Sequence, residues 1–149
     1  MIYWFFGQPG EGKTVLANAL KDYLQEQNPS VLNFRIDGDD LRSLTDNQDY
    51  SKQGREKNIL KAQTIAHYLH NNGHNVIVSL VAPYRNLRDS FKNKTGAKEV
   101  YVVTSDIRGR EHFHSDDFEP PNDENFCQID TTEKSIQKSF EELKVILQI

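Results

Sequence analysis

The chain opens on an unbroken apolar run, Ile2-Tyr3-Trp4-Phe5-Phe6, closed by Gly7. Without alternation, such a run suits a strand buried on both faces, as in the middle of a parallel sheet. Past a glycine-rich stretch, Val15, Leu16, Ala19, Leu20, Tyr23 and Leu24 recur at helical spacing until Asn28-Pro29 stops them. Residues 31–36 read as a second strand that runs into a polar turn, Asp37-Gly38-Asp39-Asp40. Over residues 55–70, Ile59, Leu60, Ile65, Ala66 and Leu69 describe another amphipathic helix, ended by Asn71-Asn72-Gly73. Residues 75–81, 100–103 and 125–129 read as three further strands, and Pro83 cannot continue the first of these. Residues 134–146 place Ile136, Phe140, Leu143 and Ile146 or Leu147 on one stripe, a helix covering a sheet face.

Strands alternating with helices imply right-handed crossovers, so the expected class is α/β, with a five-stranded, doubly wound parallel sheet flanked by helices. A length of 149 residues suits one domain, taken as 1–149. The polar stretch 106–123 is the longest without a periodic pattern, and it predicts a lid over about 106–121 rather than a linker. Composition alters this picture little. A formal net charge of -4 leaves no global cationic field, so nucleic acid is not an expected partner. The lone Cys127 cannot form an internal bridge and reads as a small buried hydrophobe. No run approaches the roughly 20 apolar residues of a membrane span, and no basic region precedes the first strand, so no membrane partner and a cytoplasmic location are expected.

The chemistry starts at Gly7-Gln8-Pro9-Gly10-Glu11-Gly12-Lys13-Thr14, which matches G-x-x-x-x-G-K-[ST] between an apolar strand and an amphipathic helix. Its glycines let main-chain N–H groups turn inward around phosphate oxygens, and the helix N-terminus adds its positive end. Lys13 can reach between the β- and γ-phosphates of ATP, and Thr14 offers a hydroxyl to Mg²⁺. These features predict a P-loop NTPase fold. A guanine-reading Asn-Lys-x-Asp element would indicate a GTPase, but Asn93-Lys94-Thr95-Gly96 lacks the carboxylate and precedes its strand, so it reads as a polar connection.

The acceptor side is expected at the carboxyl end of the second strand, where Asp37 and Asp39, two apart, would point the same way if the chain stayed extended. One carboxylate can order the Mg²⁺ water shell while the other accepts a hydrogen bond from a nucleophilic hydroxyl; an ordinary Asp-Gly turn would carry the same letters. Arg42, Arg55 with Asn58 on one helical face, and Arg85 and Arg88 after the third strand would gather around the same crevice and suit a doubly charged acceptor. Lys13, Asp37 and Asp39 are the catalytic candidates, with Thr14 and Asp37 toward the metal.

These residues carry a resemblance. The glycine loop, Asp37-Gly38-Asp39-Asp40-Leu41-Arg42, Tyr50-Ser51 with Gly54-Arg55 and Asn58-Ile59, and Ala82-Pro83-Tyr84-Arg85 with Arg88-Asp89 stand in the order and spacing of the adenylylsulfate kinase family. The later stretch of Phe113, Asp116-Asp117-Phe118-Glu119-Pro120-Pro121 and Ile129-Asp130-Thr131 is similar to that family's segment after its lid. The resemblance implies a kinase that phosphorylates the 3′-hydroxyl of adenylylsulfate, with Asp39, Arg42, Arg55 and Asn58 on the acceptor and Tyr50 and Phe113 sandwiching its adenine. It extends the candidate contacts to Ile59, Val81, Ala82 and Arg85.

Three departures shape the expectations. Ala82 stands where the family carries a serine, proposed as a phosphoenzyme site in some members, which excludes a covalent route through that position. The family's long basic lid is reduced to Asp106-Ile107-Arg108-Gly109-Arg110-Glu111-His112, leaving Arg108 and Arg110 as candidate ATP-side cations. The family's N-terminal extension before the first strand is missing, which changes the contacts of any homodimer. The rival readings are a P-loop kinase for another small or nucleotide acceptor, for which the short lid is the motive, and a nucleotide-binding module with weak turnover.

Overall fold

The computed structural model describes residues 1–122 and 126–149. The elements are β1 (Ile2–Phe6), α1 (Lys13–Gln27), β2 (Asn33–Asp37), α2 (Gly38–Leu44), α3 (Lys52–Asn71), β3 (Asn75–Ser79), α4 (Arg85–Thr95), β4 (Lys98–Val103), β5 (Cys127–Asp130) and α5 (Ile136–Leu147). The strands form one sheet in the order β2-β3-β1-β4-β5, with every pair parallel. β1 is central, with Trp4 level with Val78 on one side and Glu99 on the other. Its unbroken apolar run follows from that position, because successive side chains enter opposite faces and both faces are covered. Ile2, Trp4 and Phe6 join the core under α3 and α4, whereas Tyr3 and Phe5 join the core under α1 and α5.

The expected five-stranded doubly wound sheet is the one the chain forms, and the differences are local. Asp37-Gly38-Asp39-Asp40 does not remain an extended turn. Asp37 ends β2 and caps α2, its side chain accepting the Asp39 N–H. Residues 85–95 form α4, an unpredicted helix whose apolar stripe is only Leu87 and Phe91 among nine polar or charged residues. Strand β3 stops at Ser79, two residues before the predicted end. In α3 the core face is Ile59, Ala62 and Ala66, while Leu60 and Ile65 stand exposed about 100° around the helix. Val15 and Ile136 are likewise exposed, and Cys127 is half-buried rather than fully buried. The predicted beginning of the fifth strand at Asn125 and the end of the polar stretch at Asp123 lie outside the described residues.

Candidate active site

The carboxyl ends of β1, β2 and β3 open on one crevice of about 1220 Å³, where ligands of open α/β sheets bind. The phosphate loop turns from β1 into α1 at its floor. A Cβ at Gly7 would stand 2.3 Å from the Val102 carbonyl oxygen, so only glycine can pass β4 so closely. Gly12 has φ 95°, a left-handed conformation that launches α1. Lys13 is 8 % exposed and its Nζ donates to the Gln8 carbonyl at 2.7 Å, closing the loop on itself. Burial lowers this ammonium to about 8 against the opposing pull of Glu11, Asp37 and Asp39, and Arg110 adds to the lowering. Pro9, Gly10, Gly12, Lys13 and Thr14 line the crevice. Gly7, Gln8 and Glu11 are not among its lining residues; the Gly7 N–H donates to the Val81 carbonyl and the Gln8 amide to the Ser115 carbonyl. Burial raises the Glu11 carboxyl to about 7, and its Oε2 has no hydrogen-bond partner among the described residues.

Beside the loop, the Thr14 hydroxyl donates to Asp37 Oδ2 at 2.9 Å, and so does the Ser79 hydroxyl at 2.9 Å. Arg35 lies 3.5 Å from the same oxygen, and its guanidinium is anchored on Asn18 Oδ1, the Ile77 carbonyl and Ser79 Oγ. Burial works to raise the Asp37 pKa, but these hydrogen bonds, the Asp39 N–H and Arg35 outweigh it and hold the carboxyl below its ordinary value. Asp37 is therefore an oriented carboxylate and Asp39, in the first turn of α2, is the exposed one; both line the crevice. Arg35 and Ser79 escaped the sequence reading because a lone arginine or serine in a strand carries no spacing signal.

The crevice is also lined by Arg42, Tyr50, Arg55, Asn58, Ile59, Val81 and Ala82. Arg42 stacks 4.1 Å above the Tyr50 ring, and Arg55 lies 5.7 Å from it. Asn58 is 4 % exposed; it donates to the Gly38 carbonyl while its Oδ1 has no partner among the described residues. Ala82 holds φ 43°, a left-handed conformation rare for a residue with a side chain. Phe113 also lines the crevice and is 54 % exposed, as Tyr50 is 60 % exposed. Two large rings left open toward one cavity are ready-made stacking faces.

Two of the four arginines expected here are elsewhere. Arg85 donates from Nε and Nη2 to the Pro120 carbonyl and does not line the crevice. Arg88 is 2 % exposed, bound to the Ala82 and Glu119 carbonyls and stacked 4.3 Å over Phe6. The sequence placed both just past β3, but α4 starts at Arg85 and carries their side chains under residues 117–121. Arg108 and Arg110 do border the crevice, in different settings. The Arg108 guanidinium is tied to the Gly10 carbonyl, Thr131 and Asp106, while Arg110 stacks on Phe113.

A parallel sheet with this strand order and a lysine-bearing glycine loop at its central strand defines a P-loop kinase. The adenylylsulphate kinase family profile matches residues 1–112. An adenylyl-sulfate kinase from Rippkaea orientalis is 32 % identical over 95 % of this chain and 90 % of its own length. A probable adenylyl-sulfate kinase from Pseudomonas aeruginosa is 34 % identical over 72 % of this chain, which spans 54 % of that relative. In fold, a Mycobacterium tuberculosis APS kinase solved in complex with AMPPNP and APS superposes with a TM-score of 0.79 at 23 % identity, over 99 % of this chain and 97 % of that one. The chain belongs to the adenylylsulfate kinase family.

Proposed function

We propose that this chain transfers the γ-phosphoryl group of ATP to the 3′-hydroxyl of adenylylsulfate, giving 3′-phosphoadenylylsulfate and ADP. The observation that carries this reading is one crevice lined both by the phosphate loop and by Tyr50, Arg55, Asn58 and Phe113. Its volume of about 1220 Å³ exceeds the usual 300–1,000 Å³ of a one-ligand pocket, in keeping with two nucleotide-sized substrates meeting in it. The unpartnered Asn58 Oδ1 supplies a buried acceptor for a donor on the bound acceptor, and the Tyr50 and Phe113 rings supply its stacking faces. Arg42 and Arg55 supply positive charge for its phosphosulfate.

The Thr14 hydroxyl and the Asp37 carboxylate form a hard-oxygen donor pair 2.9 Å apart beside Lys13, a set that fits Mg²⁺. When bound, Mg²⁺ neutralises charge on the phosphates. Held by four groups, Asp37 is suited to ordering the metal's shell, which leaves Asp39 to accept the hydrogen bond of the attacking hydroxyl. Lys13 leaves the Gln8 carbonyl for the phosphoryl oxygens, and Arg110, whose charge already acts on Lys13, is the lid cation suited to join it. Arg85 and Arg88 have no part in substrate binding in this scheme. Incubation with ATP, Mg²⁺ and adenylylsulfate is expected to give a product heavier by one phosphate; transfer to a different hydroxyl compound and none to adenylylsulfate would refute the assignment.

A further inference from the structure

The arm between β4 and β5 touches both walls of the crevice, and its contacts with the phosphate loop are registered residue by residue. The Gln8 side chain donates from Nε2 to the Ser115 carbonyl at 2.9 Å, and its Oε1 accepts the Ser115 N–H at 2.9 Å. One amide thus satisfies both main-chain groups of a residue 107 positions away that is only 5 % exposed. The neighbouring His114 ring nitrogen lies 3.2 Å from the Pro9 carbonyl, and a Cβ on Gly10 would meet Arg110 Cβ at 3.1 Å. Beyond Ser115 the arm is tied to the acceptor side. The Glu119 N–H donates to the Pro83 carbonyl at 2.8 Å, and the Phe118 ring stacks near Phe6 and Tyr101. Phe113 stands two residues before Ser115, is half exposed, and is flanked by His112 and Arg110 of its own arm. Its placement over the crevice therefore depends on where Ser115 is held.

We propose that Gln8 is a positioning residue: its paired hydrogen bonds to the Ser115 main chain register the arm on the phosphate loop and so set Phe113 against the base of the acceptor. The proposal rests on the adenylylsulfate reading for the identity of that acceptor. The Gln8 carbonyl is also where Lys13 rests, so one residue joins the phosphate-binding lysine and the arm that covers the acceptor. An aliphatic side chain here would fill the same space, yet it would leave the buried Ser115 N–H without a partner and its carbonyl with only the Phe118 N–H at 3.3 Å.

The test is a double-mutant cycle of Gln8→Leu with Phe113→Ala in steady-state kinetics. Gln8→Leu alone is expected to raise the adenylylsulfate KM about tenfold, the scale of one or two lost hydrogen bonds, while the ATP KM changes less than about twofold. On the Phe113→Ala background the same substitution is expected to add almost nothing. A full penalty persisting in the double variant, or equal rises in both KM values, would overturn the proposal. If the parent protein does not phosphorylate adenylylsulfate, the functional reading fails by itself and the latch is read without substrate. Amide exchange at Ser115 should then be about tenfold or more faster in Gln8→Leu, with β1 and β3 protected as in the parent. Unchanged exchange at Ser115 would sink it.

Discussion

Asp37 and Asp39 are two residues apart and carry different burdens. Asp37 is held by Thr14, Ser79, the Asp39 N–H and Arg35, while Asp39 is exposed on the first turn of α2. A carboxylate that orients a hydroxyl matters mainly in the transition state. Asp39→Asn is therefore expected to lower kcat by more than it raises the acceptor KM, and a pure KM effect in initial-rate measurements would reduce Asp39 to a binding group. Glu11 makes a second prediction. Burial raises its carboxyl to about 7 from an unfolded value near 4.5, so the folded chain holds a proton that the unfolded chain has released. Its contribution is fully present below about 4.5 and is lost as pH rises through about 7. Urea midpoints of the nucleotide-free protein should thus fall between pH 5 and 7.5, and Glu11→Gln should flatten that decline; an identical slope in the variant would contradict it.

Among the elements, the short arm over the crevice separates the roles of its two arginines. Arg108 is bound to Gly10, Asp106 and Thr131, so Arg108→Ala is expected to lower the thermal midpoint with a modest effect on kcat. Arg110 makes a ring contact with Phe113 and its charge is felt by Lys13. Arg110→Ala should cost about tenfold or more in kcat, the lower range for a contact to charge that develops in the transition state. A reversed pattern would show that the arm rearranges when nucleotide binds. α4 has a structural counterpart to this division. Its first residue, Arg85, and the buried Arg88 hold the Pro120, Glu119 and Ala82 carbonyls, so their charge serves backbone groups that no regular element satisfies.

For the molecule as a whole, both substrates are expected in one crevice at once, and Ala82 offers no nucleophile at the turn facing it. Transfer should then be direct, with intersecting initial-rate lines and inversion at phosphorus; parallel lines with a labelled enzyme intermediate would reveal a covalent route. The sequence alone determined the parallel sheet, the phosphate loop and the family. An apolar run needing cover on both faces, a helical repeat, and a glycine loop between them are local patterns whose physics plays out within a few residues. The ordered motifs likewise named Arg42, Tyr50, Arg55, Asn58 and Phe113, all of which border the crevice. Tertiary structure decided what those patterns could not. It turned the Asp37-Gly38-Asp39 segment into a capped helix, and it sent Arg85 and Arg88 beneath the arm. It also set Arg35 and Ser79 behind Asp37, and joined Gln8 to Ser115. Each of these depends on which buried polar group lacks a partner once the sheet has assembled. Apart from the Asp37 cap, which spans two residues, that demand is met by residues 31 to 107 positions away, and no local spacing records it.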